Sequence, residues 1–273
     1  MSLVKLLAAH WPEYLIEAFS LGVFMISAGV FTILIDHPDA WLYGVVPDPD
    51  VRRALIGIAM GATAVAIVYS PWGKRSGAHM NPAFTLAFLR LGKISPGDAT
   101  FYLIAQFTGG LLGVVTLAGL LGDLFTAAPV SYVATVPGVA GVSGAFIAEV
   151  AISGLMIFVV LSVISHPSRA RYAGVVGGLL VATFIAVEAP LSGMSMNPAR
   201  SFASAAPGGL WSDLWIYFVA PPIGMLLAAG VHTRLGRAEF HCAKWIHAAD
   251  QRCIHCGYEP NAQSREPSAL LEK

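Results

Sequence analysis

The sequence predicts an all-α membrane protein with six transmembrane helices and two half-helices arranged as an inverted repeat. Three observations support this prediction: the composition, the spacing of the apolar segments, and a short motif that occurs twice. Of the 273 residues, 56% are hydrophobic and 12% are charged, whereas a soluble domain carries about 25% charged residues. The composition therefore indicates a chain that lies mostly in lipid.

Six apolar segments are long enough to be transmembrane helices, each of which needs about 20 residues to cross the hydrocarbon core. The first segment runs from Ala18 past Gly29 without the cleavage pattern of a secretory signal, so we expect it to be a span. The six predicted spans cover residues 12–35, 51–70, 98–121, 143–164, 171–190 and 211–234.

Basic residues alternate with the predicted crossings. Segments 71–97 and 165–171 and the tail carry Lys or Arg, whereas segment 36–50 is acidic and segment 122–142 contains neither Lys nor Arg. The positive-inside rule then places both termini in the cytoplasm, and we expect a multi-pass protein of the cell (inner) membrane. Arg52 and Arg53 lie on the opposite side, where we expect Asp48 and Asp50 to be their partners.

The motif Ser-Gly-x-x-Met-Asn-Pro-Ala occurs at residues 76–83 and again at residues 192–199. An apolar stretch too short to cross the membrane follows each copy, to about Leu89 and to about Ala206. Interrupted segments at matching places in two halves predict discontinuous helices that meet near the bilayer midplane. Because each half has three spans, the second half is inverted relative to the first.

The chain is therefore divided into two repeats and a tail. We expect a first repeat at 1–122, a second at 143–235, and a cytoplasmic tail at 236–273 whose end, after Glu259, is disordered. Glu17 and Glu149 lie at matching places in the two repeats. We expect both carboxylates to accept hydrogen bonds from backbone N–H groups of the non-helical loops, rather than to relay protons. Seven glycines are expected at close helix contacts: Gly57, Gly61, Gly109, Gly110, Gly113, Gly177 and Gly178.

Asn-Pro is a helix start, because Asn is a good N-cap and Pro is favoured at the first helical position. When the Asn oxygen caps the helix, its NH₂ group remains a donor toward a lumen. Two helix N-termini add positive partial charge at the same point. Such a site favours a neutral molecule with lone pairs and opposes cations and protons.

Taken together, the two Asn-Pro-Ala motifs, the Ser-Gly-Ala-His before the first, the Arg-Ser after the second, and the paired Glu17 and Glu149 resemble the aquaporin, or major intrinsic protein, family. The resemblance covers residues 12 to about 235. It implies a right-handed helical bundle, a homotetramer in the lipid bilayer, and a passive channel for water and small neutral solutes in each subunit. It implies no enzymatic activity and no cofactor for transport.

The resemblance also assigns site residues. The pore motifs are Asn81, Pro82, Ala83, Asn197, Pro198 and Ala199. Arg200 corresponds to the donor at the outer constriction; a structural ion pair is the alternative for this residue. His79 lines or gates the inner pore in the family, and simple packing within the loop is an equal alternative.

The remaining filter positions follow from alignment with the family pattern. Ile185 and Met194 match, and the fourth position is Met60 if segment 70–75 holds one extra residue, or Gly61 otherwise. A filter of Met60, Ile185, Met194 and Arg200 is mostly apolar, unlike the His-containing filter of strict water channels and the aromatic pair of typical glycerol facilitators. Ser201 stands where glycerol facilitators typically have Asp, so the resemblance is to a bacterial-type aquaporin.

The tail contains all three cysteines of the chain and several histidines, including His247. A tetrahedral Cys₃His zinc site is one interpretation, and unliganded thiols are the other. The ligand candidates are His241, Cys242, Cys253, His255 and Cys256.

Three functions are therefore consistent with the sequence. A water channel is the first, a facilitator of a small uncharged solute such as glycerol or urea is the second, and a metal- or redox-responsive membrane sensor that uses the tail is the third. A formal net charge of zero gives no basis for nucleic-acid binding.

Overall fold

The computed structural model describes residues 2–236 and 242–260, and every regular element within these two ranges is helical. The predicted all-α class is confirmed. Eight main helices build the bundle: α1 (Leu3–Asp36), α2 (Pro49–Tyr69), α3 (Pro82–Arg90), α4 (Pro96–Leu121), α5 (Gly141–Ile164), α6 (Ala173–Val187), α7 (Pro198–Gly208) and α8 (Leu214–Arg234). Short helical turns lie at Trp41–Val45, Pro71–Ser76, Asp123–Thr126, Ser131–Val133, Pro167–Ala170 and Ala189–Ser192.

Five of these helices, α1, α2, α4, α5 and α8, are long and apolar enough to cross a membrane. The first of them begins at Leu3, earlier than the predicted start at residue 12, because the Ser2 hydroxyl caps it by accepting from the Lys5 N–H at 3.4 Å. Its 34 residues span about 51 Å, which exceeds the hydrocarbon thickness. Its first turns therefore extend beyond the bilayer core.

Helix α6 is shorter than the predicted span 171–190. It has 15 residues and ends at Val187, because Pro190 has no N–H to pair with the Ala186 carbonyl. That carbonyl instead accepts from Arg53 Nε at 3.0 Å. The chain continues as the short turn Ala189–Ser192 before the second motif.

The long helices pair in a way that relates the two halves. Helix α1 packs along α4, α5 packs along α8, and α2 packs along α6. The first and third spans of each half therefore pair with each other, and the second spans pair across the halves. Small residues permit these contacts: a Cβ atom on Gly109 would lie 2.0 Å from the Ala18 carbonyl oxygen, and one on Gly61 would lie 2.4 Å from the Gly178 carbonyl oxygen.

The two ends of the bundle differ in charge. One end, called here the basic face, carries the start of α1 and segments 70–76, 90–95 and 165–172. At the opposite face Arg53 pairs with Asp50, with Nη2 at 2.8 Å from Oδ1. Arg52 pairs with Asp36 at 2.6 Å rather than with Asp48, because the Asp48 carboxylate caps α2 by accepting from the Asp50 N–H at 2.8 Å.

Segment 242–260, called here the tail segment, folds back onto the basic face. The Trp245 N–H donates to the Gly77 carbonyl at 3.4 Å, and Arg252 Nη2 donates to the Ala9 carbonyl at 2.8 Å. Ala243 is fully buried, so the tail segment is part of the folded unit. His241 and the end of the tail, which the sequence predicts to be disordered, lie outside the described residues.

Candidate functional site

The two half-helices begin at the paired motifs and meet inside the bundle. The Asn81 side-chain oxygen accepts from the Ala83 N–H at 2.9 Å. The Asn197 oxygen accepts from the Ala199 and Arg200 N–H groups at 3.1 and 3.2 Å. Pro82 and Pro198 each occupy the first turn of their helix. Both asparagines therefore act as N-caps.

The amide groups of the two asparagines also join the halves. Asn81 Nδ2 donates to the Met196 carbonyl at 2.7 Å, and Asn197 Nδ2 donates to the Met80 carbonyl at 2.7 Å. From the sequence, each NH₂ group was expected to be a free donor toward a lumen. In the structure, each instead donates one hydrogen to the opposite loop. A primary amide has two hydrogens, so one per asparagine remains, and both side chains line the internal cavity.

The loops before the asparagines share an unusual backbone. In the first loop Gly77, Ala78 and Met80 have φ angles of 104°, 54° and 50°. The second loop repeats the pattern, with φ angles of 80°, 51° and 53° at Gly193, Met194 and Met196. Left-handed conformations at residues other than glycine are costly and persist only when the surroundings enforce them.

Two buried carboxylates provide that enforcement. Glu17 accepts from the backbone N–H groups of His79 and Met80 at 3.0 and 2.7 Å. Glu149 accepts from those of Ser195 and Met196, both at 2.7 Å. Each carboxylate also accepts from the serine that opens its motif, Ser76 at 2.8 Å and Ser192 at 2.7 Å. Bonds of this kind, between an ion and a neutral donor, are the stronger class of hydrogen bond.

A cavity of about 280 Å³ lies inside the bundle beside the two motifs. Arg53 and Arg200 lie toward one end, and His79 and Trp245 lie toward the basic face. The walls between them are mostly apolar and include Leu21, Phe24, Met60, Ala64, Val181 and Ile185. Such walls leave the few polar groups as the main partners for a molecule inside.

All four candidate filter residues, Met60, Ile185, Met194 and Arg200, line this cavity. Gly61 packs against Gly178 instead, so Met60 is the member of the ambiguous pair that lies at the cavity. Arg200 Nη1 is buried without a hydrogen-bond partner among the described residues. The alternative of a structural ion pair for Arg200 finds no partner in the described ranges.

His79 is 3% exposed and lines the same cavity. Its Nδ1 atom lies 3.0 Å from Thr85 Oγ1, and its Nε2 atom donates to the Ala243 carbonyl at 2.9 Å. The histidine therefore combines both expected positions, since it packs in the loop and also borders the cavity. Its contact with the tail segment was not anticipated from the sequence.

Phe84 stands three residues after Asn81, the position that Arg200 occupies after Asn197. It lines the cavity, and the Trp245 indole stacks on its ring, with 4.9 Å between centroids and 8° between planes. A Cβ atom on Gly177 would lie 2.2 Å from the same indole. The sequence predicted a close helix contact at Gly177. In the structure Gly177 instead provides room for the Trp245 indole.

The tail segment brings four metal-ligating side chains together. The ligand atoms of Cys242, His247, Cys253 and Cys256 all lie within 4.8 Å of one another. A hydrogen bond from the Cys242 thiol lowers the pKa of Cys253, and the same bond raises that of Cys242. Three thiols and one imidazole are the donor set of a Cys₃His zinc site.

His255 does not join this cluster. Its Nε2 atom donates to the Ser76 carbonyl at 3.2 Å, and its ring lies parallel to His79 with 6.0 Å between centroids. Burial and the neighbouring His79 lower the pKa of His255 to about 4. His247 takes its place, because the His255 ring lies at Ser76 and His79, whereas His247 Nε2 lies 3.3 Å from Cys256 Sγ.

Comparison with known proteins agrees with this geometry. The profile of the family described as Major intrinsic protein matches residues 8–232. The chain is 35% identical over 212 residues to a probable NIP-type aquaporin of Nicotiana alata, covering 77% of this chain and 72% of the relative. It is 34% identical over 221 residues to glycerol uptake facilitator protein-like 6 of Lactiplantibacillus plantarum, covering 80% and 94%.

A solved structure shares the fold. The X-ray structure of the aquaglyceroporin from Plasmodium falciparum matches with a TM-score of 0.68 at 18% identity, and the match covers 83% of this chain and 96% of that one. The helical bundle with two half-helices is therefore the architecture of both chains. The profile match and the relatives extend this likeness to the sequence itself, so the chain belongs to the major intrinsic protein family.

Proposed function

We propose that this membrane channel conducts water, together with other small neutral solutes, and excludes ions and protons. One observation carries the proposal: the amides of Asn81 and Asn197 lie in a single cavity with mostly apolar walls, together with Arg200 Nη1, which has no hydrogen-bond partner among the described residues. The amide hydrogens that remain after the bonds to Met196 and Met80, together with Arg200 Nη1, favour a neutral molecule that has lone pairs.

The exclusion of cations follows from the same groups. Two helix N-termini and the guanidinium groups of Arg200 and Arg53 place positive potential along the path, and none of the described residues that line the cavity carries a carboxylate for a cation to contact. Glu17 and Glu149 are occupied by the loop N–H groups. Water that accepts from both asparagines is oriented so that it does not relay a proton across the midplane.

A facilitator of a small uncharged solute, such as glycerol or urea, is the second candidate. The apolar side chains of Met60, Ile185 and Met194 favour it, because they match the carbon skeleton of such a solute better than a strictly polar filter does. The Lactiplantibacillus relative is called a glycerol uptake facilitator protein-like 6. Ser201 remains the feature that favours the water channel.

We further propose that both termini face the cytoplasm of a cell (inner) membrane. The basic face carries Lys74, Arg75, Arg169 and Arg171, and loops rich in Lys and Arg stay on the cytoplasmic side. A homotetramer with one pore per subunit is the assembly that we expect. Large apolar side chains such as Ile104, Leu155 and Leu227 are exposed on the single chain and are available to lipid or to a second copy. Transport requires no cofactor in this scheme.

Stopped-flow light scattering on proteoliposomes tests the channel function. Sucrose, glycerol and urea gradients are applied in parallel to vesicles with the full chain, to vesicles with the Trp245→Ala variant, and to empty vesicles. The variant removes the indole that stacks on Phe84 at one end of the cavity, so a pore narrowed by that ring is also tested in a wider form. Rapid shrinkage in sucrose without solute re-entry supports the water channel, and slow shrinkage with rapid re-entry of glycerol or urea supports the facilitator. If both proteins match empty vesicles in all three gradients, the channel proposal is overturned.

A further inference from the structure

We propose that Cys242, His247, Cys253 and Cys256 bind one Zn²⁺ ion, and that the ion holds the tail segment as a plug in the pore mouth at the basic face. The zinc site stands on the tail segment alone. The closure of the pore rests in addition on the proposed channel function.

The donor set and its spacing fit zinc. In a tetrahedral site with Zn–S bonds of about 2.3 Å, neighbouring sulfurs lie roughly 3.8 Å apart, which agrees with four ligand atoms within 4.8 Å of one another. Thiolates and imidazole select zinc over the hard cations Mg²⁺ and Ca²⁺. His247 already points into the cluster, with Nε2 at 3.3 Å from Cys256 Sγ.

The backbone around the cluster is organised as a compact turn. The Gly257 N–H donates to the Cys253 carbonyl and the Cys253 N–H donates to the Tyr258 carbonyl, both at 2.9 Å. Gly257 has a φ angle of 73°, which favours glycine at this position. The Tyr258 hydroxyl donates to the Ala249 carbonyl at 2.9 Å and so closes the loop. This turn keeps the two sulfurs of Cys253 and Cys256 on one side.

A bound metal would also stabilise the fold of this segment. The tail segment contains turns and bends but no helix or strand within its described range 242–260. So short a segment has no core of its own, and small folded units of this kind depend on a staple such as a structural metal. The four ligands span residues 242–256 and therefore enclose the part of the tail that contacts the pore.

The same segment is seated in the pore mouth as closely as core residues are packed. Ala243 is fully buried and belongs to one hydrophobic cluster with Phe84 and Phe88. Its carbonyl accepts from His79 Nε2 at 2.9 Å. Trp245 stacks on Phe84 and lines the cavity.

Two glycines of the bundle make this seat possible. A Cβ atom on Gly177 would meet three atoms of the Trp245 indole, the closest at 2.2 Å, before any other side chain or backbone. A Cβ atom on Gly77 would lie 2.7 Å from the Ala243 carbonyl oxygen. The bundle thus leaves space at two positions for the segment that the metal shapes.

Zinc and closure are coupled by linkage. If the ordered tail segment both binds Zn²⁺ better and docks better than the disordered one, zinc favours docking and docking raises the affinity for zinc by the same factor. Removal of the metal therefore releases Trp245 from Phe84 and opens the mouth.

Metal content tests the site. The full chain, purified with Zn²⁺ and dialysed, is assayed for zinc by mass spectrometry, and Co²⁺ is substituted to record the absorbance bands of tetrahedral thiolate ligation. We expect about one metal per chain, lost in Cys253→Ser with Cys256→Ser and weakened in His247→Ala, while His166→Ala, a change at an exposed histidine, retains it. Absence of both zinc and the thiolate bands from the full chain overturns the site.

Hydrogen exchange and water permeability test the plug. We expect chelation of zinc to raise the exchange of residues 242–260 and to raise water permeability severalfold. Gly177→Ala displaces Trp245 without touching a ligand, so it is expected to retain zinc and to show the same two increases. Gly119→Ala, where a new Cβ meets nothing within 4 Å, is the matched control and is expected to behave as the unaltered chain.

The outcomes separate the two proposals. Zinc binding with exchange and permeability unaffected by chelation and by Gly177→Ala overturns the plug. Zinc-dependent protection of residues 242–260, without permeability in any variant, supports the docked segment and overturns the channel function instead.

Discussion

The indole of Trp245 stacks on the ring of Phe84 with 4.9 Å between their centroids. Phe84 follows Asn81 by the same interval at which Arg200 follows Asn197. The inverted repeat thus places equivalent positions at opposite ends of one cavity, and the residue types make those ends different. One end presents the guanidinium groups of Arg200 and Arg53, and the other presents an aromatic pair of which one ring comes from the tail segment.

Arg200→Ala is expected to increase the leak of protons and K⁺ through reconstituted vesicles. The reason is that Arg200 is the full positive charge beside the second half-helix and its Nη1 has no partner in the described ranges. A loss of about 1.4 kcal/mol of barrier corresponds to a tenfold rise in leak. Ion flux assays with a pH-sensitive dye measure it. Arg171→Ala, on an exposed residue of the basic face, is the control. An unchanged leak with unchanged exclusion of glycerol and urea contradicts the assignment of Arg200 to the filter.

Glu149→Gln is expected to destabilise the protein by about 2 kcal/mol or more, because it replaces a charged acceptor of two loop N–H groups by a neutral one. Glu17→Gln is expected to act in the same way at the other loop. Thermal unfolding in detergent, followed by circular dichroism, measures the loss. The control is Glu188→Gln, since Glu188 is also buried, at 5% exposed, and its carboxylate accepts no hydrogen bond from the backbone of the described residues. Equal melting temperatures for all three variants and the unaltered chain would argue against the supporting role.

Gly109→Ala is expected to separate α1 from α4 and to reduce the yield of monodisperse protein strongly. A Cβ atom there would lie 2.0 Å from the Ala18 carbonyl oxygen and 2.4 Å from its Cα atom, and neither backbone atom can move aside alone. Overpacking of this kind typically costs about 1–3 kcal/mol or more. Size-exclusion chromatography after extraction measures the effect. Gly119→Ala, a change to open space on the same helix, is expected to give normal yield. Normal yield from both variants would show that the helices tolerate the wider spacing.

Met60→Ala is expected to raise the ratio of glycerol to water permeability, because it widens the cavity at an apolar wall. Stopped-flow measurements in glycerol and sucrose gradients give this ratio. Met25→Ala is the matched control, since Met25 is fully buried in the core but does not line the cavity. A ratio that stays constant in Met60→Ala would remove Met60 from the filter.

The fold was predictable because its signals are local. Apolar length, Pro after Asn, and Gly at repeated intervals each describe a helix, a helix start or a helix contact within a few residues. The helix boundaries were less predictable. Ser2 caps α1 ahead of its apolar part, and α6 ends early because Pro190 has no N–H to donate to the Ala186 carbonyl. The loop N–H contacts expected for Glu17 and Glu149 are present, since buried backbone donors in lipid require an acceptor.

The contacts of the tail segment could not be predicted from the sequence. Its composition indicated metal ligands, but no local pattern shows that Trp245 reaches Phe84 or that Gly177 leaves it room, because these contacts join segments that are distant in the chain. The choice of His247 over His255 depends on the direction of side chains in a turn. The directions of the His247 and His255 side chains are set by backbone geometry, which the spacing of these residues along the chain does not give.

The reciprocal hydrogen bonds of Asn81 and Asn197 have a consequence for biosynthesis. Asn81 Nδ2 donates to Met196 O, and Asn197 Nδ2 donates to Met80 O, so neither repeat completes its own motif. During translation the first half emerges with its amide donor and its Met80 acceptor still lacking these partners, and both wait for a segment more than a hundred residues behind. The contact between the two half-helices therefore forms only after the second motif has been synthesised, and its two hydrogen bonds form together because each needs a residue from both halves.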